Sequence, residues 1–168
     1  KLDESLTKKY PDNGFVLRFH EKLVEKSAFA IGSEAPEIVQ EGMKGEKVSL
    51  SSHRGKVVLI DFWASWCGPC IGEIPNLKDA YKSYKNKGFE IFSISLDDNK
   101  EKWMKTIKQQ EMPWVHVSDL KGWYNEAALA YNVEGIPFTL LIDEEGKIIA
   151  KNLRGSALED KLEEIFEE

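Results

Sequence analysis

Lys56-Val57-Val58-Leu59-Ile60-Asp61-Phe62-Trp63-Ala64-Ser65-Trp66-Cys67-Gly68-Pro69-Cys70-Ile71-Gly72-Glu73-Ile74-Pro75 is the stretch that decides the fold. It opens as a run of apolar, β-branched residues, the pattern of a strand buried on both faces. It then turns through Trp66 and Cys67 into a segment that reads as a helix with Pro75 inside it. Both cysteines of the chain lie at this handover. A helix N-terminus leaves backbone N–H groups unpaired and favours an anion. A thiolate is such an anion, and it is the reactive form of cysteine. The stretch therefore predicts a dithiol that exchanges electrons through Cys67 and Cys70.

A bare Cys-x-x-Cys also resembles half of a zinc site. Tetrahedral zinc needs four ligands, normally a second Cys or His pair at short spacing. The chain has no third cysteine, and its three histidines, His20, His53 and His116, are scattered. No metal is expected. His53 reads as a solvated turn residue and His116 as a packed or edge residue of a short strand. A cysteine pair so close in sequence closes too small a loop to act as a staple, so chemistry is the better reason for it.

Asp61-Phe62-Trp63-Ala64, then Trp66-Cys67-Gly68-Pro69-Cys70, and later Gly135-Ile136-Pro137 resemble the thioredoxin superfamily. Glu73-Ile74-Pro75, the lead-in Gly32-Ser33-Glu34-Ala35-Pro36, and Leu141-Ile142-Asp143 ahead of Glu145-Gly146-Lys147 are similar to its TlpA/ResA branch of cell-envelope thiol-disulfide oxidoreductases. The resemblance covers residues 31–168 and leaves out residues 1–30. It implies a thioredoxin-like three-layer α/β/α sandwich. The segment from Asp97 to Trp123 would be the αβ insert typical of the TlpA branch.

Composition agrees with one globular domain plus an appendage. The 168 residues are 42% hydrophobic and 31% charged, enough to bury a core. The formal charge of −6 argues against a nucleic-acid partner, since phosphate binding needs a basic surface. No apolar run is long enough to span a bilayer. The chain starts at Lys1, so it is read as a processed or excised fragment, with any signal peptide or lipid anchor upstream.

Taken in order, residues 1–30 are charged, with a turn signal at Tyr10-Pro11-Asp12-Asn13-Gly14 and a short amphipathic helix up to about Ser27. They read as a helical segment or linker from an upstream region, with a linker helix lying on the redox domain preferred. A loop and short hairpin lead to Val48-Ser49-Leu50. After the dithiol, a helical stripe runs to a stop at Gly88, with a kink expected at Pro75. Phe89 to Leu96 reads as a strand, and Asp97-Asp98-Asn99 as the cap of a helix that Pro113 ends. Val115-His116-Val117 reads as a short strand and Ser118–Trp123 as a loop before a helix through Ala127 and Leu129. A hairpin, Phe138 to Asp143 and Lys147 to Lys151, follows. The last helix carries a capping-box pattern, Ser156 with Glu159. Strands alternating with helices and a closing hairpin predict an α/β sandwich with a mixed central sheet.

Cys67, first and nearer solvent, is the expected attacking thiol, its pKa below the free value of about 8.5. Cys70, a turn further in, resolves the mixed disulfide. Gly68 and Pro69 set the geometry of the pair, and this dipeptide resembles that of reducing thioredoxins. Asp61 is a carboxylate inside an apolar strand. Burial should raise its pKa, so that it accepts a proton from Cys70 during resolution. The resemblance implies three further roles. Glu73, on the face of Cys70, modulates the thiols. Pro137, expected to be cis, packs against the dithiol. The backbone at Ile136 pairs with an extended substrate. Phe138 departs from the small polar residue usual after this proline. Trp66 should form an apolar rim around Cys67 and Trp63 should pack beneath the site, while Trp103, Trp114 and Trp123 read as core of the insert.

The implied function is reduction of disulfide-bearing envelope proteins by a monomer in the periplasm or cell envelope, tethered through any upstream anchor. Electrons would come from a DsbD-type membrane donor, with no cofactor beyond the Cys67–Cys70 disulfide itself. Two alternatives stand beside it. One is a peroxiredoxin-like thiol peroxidase, which the alanine at position 64, where those enzymes carry threonine, disfavours. The other is a binding module whose redox pair is inherited.

Overall fold

The computed structural model describes residues 2–167; Lys1 and Glu168 lie outside the described residues. Two helices come first, α1 (Leu2–Lys9) and α2 (Gly14–Ala28), and Asn13 caps the second through bonds from the Phe15 and Val16 N–H groups. Phe15 and Phe19 stack on the solvent side of α2, and Phe15 is 73% exposed. Just beyond α2, Phe29 stacks on Tyr131 at 5.5 Å.

The sheet is built from β1 (Val39–Gly42), β2 (Lys47–Ser49), β3 (Val57–Trp63), β4 (Phe89–Ser95), β5 (Val115–Ser118), β6 (Phe138–Ile142) and β7 (Ile148–Lys151). Their order is β2-β1-β5-β4-β3-β6-β7. β3–β4 and β4–β5 are parallel and the other neighbours antiparallel, so the sheet is mixed. The remaining helices are α3 (Gly68–Tyr84), α4 (Lys100–Gln110), α5 (Glu126–Ala130) and α6 (Ser156–Phe166). Every residue of β3 and β4 is buried. That accounts for their unbroken apolar runs, because helices cover both faces.

Period-two alternation sorts β3 into two sets. Phe62 points to the face where it meets Tyr131 and Phe138 at 5.6 and 5.9 Å. Asp61 and Trp63 point to the other, with Ser93, Trp114 and His116, where Tyr81 of α3 packs edge-on to Trp114. On that side α3 and α6 are pinned together by Tyr84 stacked on Phe166 at 5.4 Å.

Three expectations need correction. His53 is half-buried with its ring edge-on to Phe92 at 5.7 Å, so it packs rather than sits solvated. Trp103 and Trp114 are core, but Trp123 is 46% exposed. The Ser156–Glu159 capping box does not form. Gly155, at φ 53°, takes the N-cap position, and its N–H is bound by Glu73 of α3 instead.

Candidate active site

Strand β3 delivers the chain to a turn in which the Cys67 N–H bonds Ala64 O at 3.1 Å. Cys67 is the N-cap of α3, in extended geometry, and its Sγ accepts the Cys70 N–H at 3.2 Å. The sulfur thereby takes the place that a serine or aspartate oxygen fills in an ordinary cap. Pro69 lies in the first turn, where its missing N–H has no intrahelical partner to lose. The two cysteines are bonded, Cα to Cα 5.2 Å. They are 5% and 4% exposed, so overall exposure does not single out Cys67 as nearer solvent. Position separates them: Cys67 caps the helix between exposed Trp66 and exposed Gly68, and Cys70 lies within its first turn.

The turn ahead of Cys67 is fastened from β4. Asp97, buried at the end of that strand, accepts hydrogen bonds from Ser65 N–H at 3.0 Å and from the Ser65 and Ser95 hydroxyls, both at 2.5 Å. A buried carboxylate is tolerable where donors replace its water.

Asp61, within β3, is buried, and Ser93 Oγ donates to its Oδ2 at 2.8 Å. Burial pushes its pKa up from 3.8 to about 6; the Ser93 bond works against that and the negative charge of Glu73 adds to it. Across four strands, Thr139, Asp61, Ser93 and His116 stand in register as one buried polar row. His116 Nε2 lies 3.0 Å from Met112 O, which can only accept, so that nitrogen carries the proton. Its Nδ1 is buried with no partner among the described residues, and burial pulls the ring's pKa down to about 4.

Glu73 ties α3 to the start of α6. Its Oε1 accepts the Gly155 N–H at 2.5 Å ahead of α6, and its Oε2 accepts from Asn76 at 3.2 Å. The Ile136–Pro137 peptide is cis. Pro137 is buried, Ile136 and Phe138 are half-buried, and Arg154 Nη2 donates to Pro137 O at 2.7 Å. Among the described residues no group of three or more His, Cys, Asp or Glu is disposed to hold a metal, and no helix is long and apolar enough to cross a membrane.

Sequence reasoning missed Ser93, the hold of Asp97 on the turn ahead of Cys67 (Asp97 reads as part of a helix cap, which Asn99 provides), Arg154 and the placement of Trp123. A signal existed for the first two: serines alternating through an otherwise apolar strand, with an acid just after it, are polar groups in a segment that must be buried. Nothing local marks Arg154, whose partner lies 17 residues away. Trp123 looked like core because tryptophan is usually covered.

The redoxin family model matches residues 30–165. The chain is 32% identical to the thiol-disulfide oxidoreductase ResA of Bacillus thuringiensis subsp. konkukian, over 90% of this chain and 84% of that one. It is 36% identical to the ResA of Geobacillus kaustophilus, over 74% and 70%. Among solved structures, the thioredoxin domain of a thiol-disulfide oxidoreductase from Bacteroides vulgatus aligns with TM-score 0.77 and 39% identity, covering 82% of this chain and 98% of that one. A disulfide at a helix start, a cis proline and a mixed sheet thus meet with family matches over most of the chain, which belongs to the thioredoxin superfamily as a TlpA/ResA-like thiol-disulfide oxidoreductase.

Proposed function

We propose that the protein reduces disulfides of polypeptide substrates in the cell envelope, cycling between the Cys67–Cys70 disulfide and the dithiol. The observation that carries this is Cys67 as the N-cap of α3 with Cys70 bonded to it one turn on. In the reduced state, the Cys67 thiolate attacks one sulfur of the substrate disulfide. A bond forms from Cys67 to that sulfur, and the other leaves as a thiolate. Cys70 loses its proton and attacks Cys67 Sγ, which expels the second substrate thiol. Two electrons pass to the substrate, and a dithiol donor, of the DsbD type in this reading, must return them.

Asp61 is the group assigned to take the Cys70 proton, since a carboxyl titrating at about 6 can both accept and return one near neutrality. Trp66, Gly68 and Pro69 form the contact surface around Cys67, with the Ile136 backbone beside cis-Pro137 for an extended substrate. Glu73 is assigned an indirect part, through its charge on Asp61 and its hold on Gly155. Residues 1–30 are assigned as a helical linker ahead of the redox domain, and the chain as a monomer.

Insulin reduction driven by dithiothreitol tests the reading. The wild type should accelerate precipitation of the insulin B chain and Cys67→Ser should not. Absence of turnover in the wild type would leave a binding module with an inherited redox pair. Peroxide consumption by the reduced protein should be no faster than by a free thiol, because Ala64 supplies no hydroxyl near Cys67.

A further inference from the structure

Beside the dithiol, Trp66, Trp123 and Tyr124 hold their rings in solvent, 54%, 46% and 77% exposed. The Trp66 and Trp123 ring centroids stand 6.0 Å apart with their planes at 49°. They wall a cleft of about 510 Å³ that Leu96 and Tyr124 also line, with Asp98 and Lys121 at its rim. Lys121 is engaged by Glu126 at 2.7 Å, so the cleft presents rings rather than an unpaired ammonium.

The loop carrying Trp123 and Tyr124 is fixed from beneath. Asn125 is fully buried; its Oδ1 accepts from Gln40 Nε2 at 3.0 Å and Ala128 N–H at 3.1 Å. Its Nδ2 donates to Gln40 Oε1 at 3.2 Å and Asp119 Oδ1 at 3.0 Å. Asp119 also accepts the Glu126 N–H at 2.8 Å and the Lys121 N–H at 3.1 Å. Leu120 is held at φ 57°, a region branched side chains avoid, with its N–H on Ser118 Oγ at 3.1 Å. Such an outlier persists only where its surroundings over-determine it, and such outliers gather where ligands are gripped. The aromatic wall opposite Trp66 is thus preorganised.

We propose that this cleft receives an aromatic or large aliphatic side chain of the substrate polypeptide, adjacent in sequence to the cysteine that Cys67 attacks. The proposal rests on the disulfide-reductase reading and adds a substrate preference to it. Trp66 precedes Cys67 directly, and consecutive Cα atoms are about 3.8 Å apart. In the mixed disulfide the substrate cysteine is bonded to Cys67, which brings a side chain next to that cysteine within reach of Trp66. Trp123 and Tyr124 continue the same surface outward. An apolar side chain entering between the rings displaces water from aromatic faces and leaves the Lys121–Glu126 pair intact.

Two synthetic peptides with an intramolecular disulfide, identical except for Phe or Ser beside one cysteine, provide the test. Their rate constants with the reduced protein are each referred to that of 2-hydroxyethyl disulfide on the same variant. The wild type should favour the Phe peptide by about tenfold, and Trp123→Ser and Tyr124→Ser should each bring the ratio toward one. Tyr124 is the more exposed of the two, so its variant keeps the test open if Trp123→Ser folds poorly. Equal rates for both peptides on the wild type, or a ratio unchanged in both variants, would overturn the cleft while leaving the reductase reading in place. A concentration-dependent dimer that Trp123→Ser abolishes would overturn it too, by naming a second copy of the chain as the occupant. Reaction with neither peptide nor insulin would strike the reductase reading itself.

Discussion

Ser93 Oγ donates to Asp61 Oδ2 at 2.8 Å while accepting the Trp114 indole N–H at 2.9 Å. An indole nitrogen only donates, so Ser93 must spend a lone pair on Trp114 and point its own proton at the carboxylate. The bond therefore favours the ionised acid and opposes the effect of burial. Removing it with Ser93→Ala should move the Asp61 midpoint upward by about one pH unit. Trp114→Phe, which frees the hydroxyl to turn away, should give a smaller shift in the same direction. Carboxyl titration of the oxidised protein by NMR reads both; an unchanged or lowered midpoint would contradict the assignment.

Asp61 and His116 should pull stability in opposite directions with pH. The Asp61 pKa is raised by the fold from 3.8 to about 6, so its contribution is fully present below 3.8 and is lost as pH rises through 6. The His116 pKa is lowered from 6.5 to about 4, so its contribution is present above 6.5 and is lost as pH falls through 4. Each is worth about 3 kcal/mol by linkage. Asp61→Asn should stabilise the oxidised protein by about that amount at pH 8 and by little at pH 4. On acidification from pH 6.5 it should lose stability more steeply than the wild type, because His116 then titrates unopposed. Urea unfolding across this range checks both slopes, and resolution of mixed disulfides should be slowed in the same variant.

Glu73 has two measurable parts. Glu73→Ala deletes the bond to Gly155 and should cost about 1–2 kcal/mol in unfolding free energy. It also removes a negative charge that raises the Asp61 pKa, so the Asp61 midpoint should fall. A stability loss with no movement of Asp61 would reduce Glu73 to a cap for α6.

Much of the fold was legible because its central strands carry their burial in their composition. Val57–Trp63 reads as a strand covered on both faces, and it is one. The helix start at Cys67 was equally plain, since Gly68-Pro69 suits a first turn. What escaped was long-range pairing. The Ser156–Glu159 spacing matches a capping box, but the cap falls one residue earlier, on Gly155, whose N–H is held by the Glu73 carboxylate of a distant helix. A periodicity argument sees neighbours three and four residues apart, not 82. Trp123 failed for a related reason. Burial was inferred from residue type, whereas the Asn125–Gln40–Asp119 framework holds its loop so that the ring faces water.

The order of the two sulfurs is the centre of the account, and intact-mass spectrometry of trapped adducts tests it most directly. Reduced Cys70→Ser protein mixed with insulin should accumulate a species heavier by one insulin molecule, whose chains stay joined by the second interchain bridge, mapped to Cys67 and released by dithiothreitol. Reduced Cys67→Ser protein should yield none. An adduct of comparable yield on Cys70 in the Cys67→Ser protein, or no adduct on Cys67 at all, would contradict it.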